Sequence, residues 1–122
     1  MCDCSDLIGR PYRLGADGTR REIDCIHLVY KVLHRLAIPT PAFNLSWYDG
    51  NRRQIVRELR AWGNRVERPQ YDGDVLLIPQ QGWAFAVTWQ KGILYINRHL
   101  NQVAWCPIAA IKPCHCFRSK NS

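Results

Sequence analysis

The spacing of hydrophobic positions changes once along the chain, and the change divides it into a helical part and a stranded part. From Asp24 to about Ala37, the residues Ile26, Val29, Tyr30, Leu33, Leu36 and Ala37 recur at steps of three and four, the spacing of one buried helix face. Asp24 suits the N-cap, where a short side-chain oxygen accepts from a free backbone N–H. Pro39 and Pro41 stop this helix. His27, Lys31 and His34 share its opposite face, which reads as wet surface because no carboxylate or thiol stands with them as a further metal ligand. A second helix is expected from Asn51 to Trp62, with Ile55, Leu59 and Trp62 inward and Gly63-Asn64 as its stop.

After Asp72-Gly73 the period becomes two. Val75-Leu76-Leu77-Ile78 has the character of a buried strand, and Phe85, Val87 and Trp89 alternate with Ala84, Ala86 and Thr88. Lys91-Gly92 predicts a turn, Ile93 to Asn97 a returning strand, and Val103 to Cys106 one more. Arg10 to Gly15, with Asp17-Gly18, reads as a turn-rich entry loop, and Arg118 to Ser122 as a frayed tail. Helices followed by an antiparallel sheet define an α+β class. With no linker, repeat or low-complexity stretch in 122 residues, a single domain over 1–122 is expected.

Composition narrows the partners. Hydrophobic residues make up 47%, enough for a packed core, yet no apolar run approaches the ~20 residues of a membrane-spanning helix. Met1-Cys2-Asp3-Cys4-Ser5-Asp6 carries acid where a secretory signal carries base, so synthesis in the cytoplasm without a classical export signal is expected. The net charge is +7, and six of the 17 basic residues are Arg52, Arg53, Arg57, Arg60, Arg65 and Arg68. Such a run reads first as a solvated helix face that favours anionic partners. No zinc-finger or aromatic ribonucleoprotein motif accompanies it, so nucleic acid is not expected.

The six cysteines separate into groups. Cys2-x-Cys4 and Cys114-x-Cys116 lie at opposite ends. They could meet as a zinc site with His115 or as a terminal disulfide, but the spacing departs from the usual zinc pattern, and free thiols, Cys106 included, are the expectation. No metal or organic cofactor is called for. Cys25 stands apart. At the first turn of a helix a thiol faces free N–H groups and the positive end of the dipole, both of which favour the thiolate. That makes Cys25 a candidate nucleophile in need of a base.

Three segments in order carry a family pattern: Leu7-Ile8-Gly9-Arg10-Pro11-Tyr12-Arg13-Leu14-Gly15, then Asp24-Cys25, then Tyr71-Asp72-Gly73-Asp74-Val75-Leu76-Leu77. Together they resemble the NlpC-type cell-wall peptidase family, papain-like cysteine peptidases that cleave the peptide stems of bacterial peptidoglycan. The likeness runs from about Leu7 to Ile108, and the Asp24-Cys25-Ile26-His27-Leu28-Val29-Tyr30 variant is similar to members associated with phage tails and injection devices. The resemblance implies a papain-like domain with N-terminal helices packed on a small antiparallel sheet. It implies Cys25 as nucleophile, with Asp24 and Tyr12 holding substrate. It also implies action at the cell wall or periplasm after delivery by a phage tail or secretion machine, or on a virion, with a cognate inhibitor as a further candidate partner.

The chain departs from the pattern beside and opposite the nucleophile. Ile26 and His27 follow Cys25 where the family has serine and glycine, and His27 is expected to point away from the thiol. Aligning Gly73-Asp74-Val75 and the following hairpin puts the family's catalytic histidine at Ala84, which cannot accept a proton. Asn97 falls at the residue that would orient such a base, with His99 and Tyr95 as back-ups. Three explanations stay open: an engineered replacement of histidine, a natural pseudoenzyme serving wall binding or tail assembly, or a shifted register in which His99 supplies the base.

Overall fold

The computed structural model describes residues 3–49, 51–80, 83–111 and 115–120. Helix α1 spans Cys25–Arg35, and its N-terminus is closed by Asp24, whose carboxylate accepts the His27 backbone N–H at 2.8 Å. Ile26, Leu28, Val29, Val32 and Leu33 form its buried stripe. The helix ends earlier than its hydrophobic spacing predicts. Ala37 takes a left-handed conformation (φ 58°), and the N–H groups of Ala37 and Ile38 return to the carbonyls of His34 and Leu33. Leu36 and Ala37 thus belong to a capping turn rather than to the helix.

Helix α2, Arg52–Trp62, is capped by the Asn51 side chain and buries Ile55 and Leu59. The expected stop at Gly63-Asn64 is also the start of a strand, β1 (Gly63–Val66). Five more follow: β2 (Val75–Pro79), β3 (Trp83–Trp89), β4 (Gly92–Asn97), β5 (Gln102–Pro107) and β6 (His115–Ser119). They form one antiparallel sheet in the order β1-β6-β2-β3-β4-β5. The fold is α+β, two helices and a six-stranded antiparallel sheet.

Strand alternation gives the sheet two buried faces. Val75, Leu77, Phe85, Val87, Trp89, Leu94, Ile96 and Phe117 belong to the core that includes the buried stripes of α1 and α2. Leu76, Ile78, Ala86, Ile93 and Cys116 form a second, smaller core on the other side, against which Ile108 and Ile111 of the β5–β6 connection pack. Burial on both faces is why β2 shows no alternation. The β3–β4 loop is Gln90-Lys91, both with positive φ (47° and 59°), one residue earlier than expected. Gly92 then opens β4 beneath Trp105, whose indole lies 2.1 Å from where a Cβ would stand.

The tail expected to fray is structured up to Ser119. Arg118 pairs with Asn64 across the sheet and makes a forked ion pair with the buried Asp74 carboxylate, at 2.9 and 2.8 Å. Asp74 also accepts from the backbone N–H groups of Gln70 and Tyr71. The thiols at the two ends are kept apart. Cys4 lies in the helix-side core and Cys116 in the opposite one, while Cys2 and Cys114 lie outside the described residues. Among the described residues no group of three or more His, Cys, Asp or Glu is arranged to hold a metal ion, and no helix is long and apolar enough to cross a membrane.

Removing the guanidinium should leave Asp74 as a buried charge with only two backbone donors. Arg118→Ala is therefore expected to lower stability by about 3 kcal/mol, measured by urea denaturation.

Candidate functional site around Cys25

The segment before α1 fixes the position of Cys25. Ile23 pairs with Tyr12 and Asp17, its N–H donates to the Pro11 carbonyl, and the Asp24 N–H donates to the Ala16 carbonyl. The entry loop is thereby wrapped around the start of the helix. Asp24 is fully buried. Its Oδ1 accepts from the His27 N–H and from the His27 ring Nδ1, both at 2.8 Å. Its Oδ2 accepts from the Gly15 N–H at 3.2 Å and from the Tyr48 hydroxyl in a short hydrogen bond. Burial, followed by the bond to Asp24, pushes the Tyr48 phenol well above its ordinary range. Asp24 is thus the N-cap and a saturated acceptor, and His27 turns its ring to Asp24 rather than to a wet surface or a metal.

Cys25 is the first residue of α1 and packs against the helix-side core. The helix start predicts an easily ionised thiol. In the folded chain burial outweighs that effect and pushes the thiol up to about 11, and the Asp24 charge adds to the rise. The Phe85 backbone, the Cys25 backbone and the Arg98 guanidinium act in the opposite sense but are outweighed.

Tyr12 packs against the same core, with the Arg98 guanidinium 4.7 Å above its ring. The structure therefore brings Cys25, Asp24 and Tyr12 together and adds Tyr48 and Arg98, which sequence reasoning missed. Tyr48 lies in a short 3-10 turn, Leu45–Asp49, and Arg98 in the β4–β5 turn, so their approach to Cys25 depends on tertiary packing with no local signal.

Ala84 and Asn97 are not brought to Cys25. Ala84 pairs with Ile78 on β3 and packs in the smaller core on the face away from α1, whereas its neighbour Phe85 lies in the core with Cys25. Asn97 has the parity of Tyr95, again away from α1, because Leu94 and Ile96 take the helix side. Its Oδ1 accepts from the His99 and Leu100 N–H groups at 3.0 and 3.1 Å, the work of a turn former. His99 is exposed in that turn, and Tyr95 stands beside Ala84 in the smaller core rather than beside the thiol.

No imidazole hydrogen-bonds the Cys25 thiol among the described residues. His27 is held by Asp24, and His34 and His99 are exposed. His115 is on the helix side of the sheet, in a cross-strand row with Leu77 and Phe85. Two strand spacings separate it from Phe85, about 10 Å. Among the described residues the arrangement presents a thiol, two phenols, a guanidinium and the Asp24 carboxylate already engaged by its donors, with no imidazole placed to take the thiol proton. The chain matches no protein-family model, and no curated protein matches it.

Tyr48→Phe removes one donor from a buried carboxylate and should cost about 2 kcal/mol of stability in urea denaturation. Asp24→Ala should cost more, because it strands the donors and removes the helix cap.

Proposed function

We propose that this chain is a papain-like domain of the NlpC type that binds bacterial peptidoglycan and does not cleave it. The observation that carries this reading is the residue facing Cys25 from β3, which is Phe85 and not a histidine. In the parent reaction a thiolate at the helix start attacks a stem-peptide amide carbonyl. The backbone N–H at that helix start stabilises the oxyanion, and a base takes the thiol proton and returns it to the leaving amine. This chain has the thiol and the helix start, but burial and the Asp24 charge work against ionisation of the thiol. The net charge of +7 favours approach to anionic wall polymer.

The cysteine endopeptidase or amidase reading of the same site has one observation in its favour: Cys25 is the first residue of α1, at the helix start where a nucleophile of this kind is expected. Incubation with purified peptidoglycan separates the two. The protein as it stands should sediment with the wall and release no fragments detectable by mass spectrometry. Ala84→His should stay silent, because position 84 is on the far face of the sheet. Phe85→His puts an imidazole on the side of Cys25 and is the substitution expected to gain hydrolysis, provided it folds by circular dichroism. Fragment release by the unaltered chain would establish a peptidase with another base. Release by Ala84→His would identify that position as the lost base. Failure to sediment would end the wall-binding reading.

A further inference from the structure

A second concave site lies between α2 and β6. It is a cavity of about 310 Å³ lined by Arg52, Arg53, Val56, Arg57, Arg60 and His115. The geometry points to a phosphate-binding site here, in which the four arginines and His115 hold the phosphate or diphosphate group of a small phosphorylated molecule. This is independent of the wall-binding reading and uses none of the residues around Cys25.

The arginines are placed at a cost to an empty helix. Arg53, Arg57 and Arg60 follow at steps of four and three, so like charges are neighbours on one face. Arg52 and Arg53 occupy the first turn, where the helix dipole disfavours cations and where no acidic residue offsets them. None of the four makes an ion pair with a carboxylate among the described residues. A multivalent anion in the cleft relieves all of these repulsions at once, and guanidinium forks match phosphate oxygens geometrically.

His115 supplies the independent observation. The residue is 9% exposed, and neither Nδ1 nor Nε2 has a hydrogen-bond partner. Buried polar groups are satisfied with few exceptions, and this ring lines the arginine cavity. Trp83, 5.9 Å away ring to ring, and Phe117, stacked at 6.4 Å, hold the ring. Arg52 lies over the other partner of that contact, 5.8 Å from the Trp83 ring, so the indole is wall rather than a free stacking platform. Burial and the Arg65 and Arg52 charges keep the imidazole below its ordinary range, hence neutral with one N–H to donate. A donor recessed at the edge of a small cavity suits a ligand that enters, which favours a small molecule over a nucleic-acid backbone lying across the surface.

Isothermal titration of the full chain with inorganic pyrophosphate at physiological salt tests this. Saturable one-to-one binding is expected. The pair Arg53→Ala and Arg57→Ala should weaken it at least tenfold, while Arg20→Ala with Arg21→Ala, outside the cleft, should leave it unchanged. His115→Phe should also weaken binding. If that variant does not fold, the nitrogen resonances of His115 in the unaltered protein must move on addition of pyrophosphate. Absence of saturable binding overturns the proposal, as does indifference to the Arg53 and Arg57 substitutions. Equal or tighter binding of citrate, or saturable binding of a single-stranded oligonucleotide without any of pyrophosphate, also overturns it.

Discussion

The buried carboxylate of Asp24 is the interaction on which the rest of the helical half depends. Taking a carboxylate out of water costs several kcal/mol unless its lone pairs are met by donors. Here the donors come from three separate pieces of chain: Gly15 of the entry loop, His27 of α1, and Tyr48 of the turn between the helices. Asp24 therefore caps α1 and also ties the loop before it and the turn after it to one point. It sets Cys25 as the next residue, at the first position of the helix. The same charge helps keep that thiol protonated, so the contact that places Cys25 also works against its ionisation.

The sheet supplies the second constraint, which is parity. A strand sends alternate residues to opposite faces, so only one of Ala84 and Phe85 can look toward α1. The larger side chains, Phe85, Val87 and Trp89, fill the helix side, and the alanines fit under the β5–β6 connection. A base on β3 that served Cys25 would need the parity of Phe85. The helix side then carries both candidate sites, the thiol at α1 and the arginine cleft at α2, with the row His115, Leu77 and Phe85 running between them.

Much of this was legible in the chain. The stripes of α1 and α2, the caps Asp24 and Asn51, and strands β2 to β5 follow from spacing and turn residues, to within one or two positions. β1 and β6 were not legible, because Gly63–Val66 and His115–Ser119 are short and largely polar, and they become strands by pairing, β6 with both β2 and β1, and β1 with β6. The alternation of Ala84 with Phe85 was visible, but which face meets α1 is decided by packing volume across distant segments. Asp24 could be read as a cap, whereas its bond to Tyr48 depends on a turn that no local pattern marks. In the sequence alone, His115 reads as a possible further zinc ligand beside the terminal cysteines. Its burial against Trp83 and Phe117 becomes apparent only when β3 and β6 stand two strands apart.

The central claim is that Cys25 has a nucleophile's position without a nucleophile's ionisation. Its most direct test is the pH dependence of alkylation at Cys25, followed by mass spectrometry of the peptide that contains it so that the other thiols do not contribute. The account predicts a rate that keeps rising through the alkaline range, with a midpoint about 11. A rate already at its plateau near neutral pH, with a midpoint in the range of roughly 3.5–7.5 typical of activated cysteines, would contradict it.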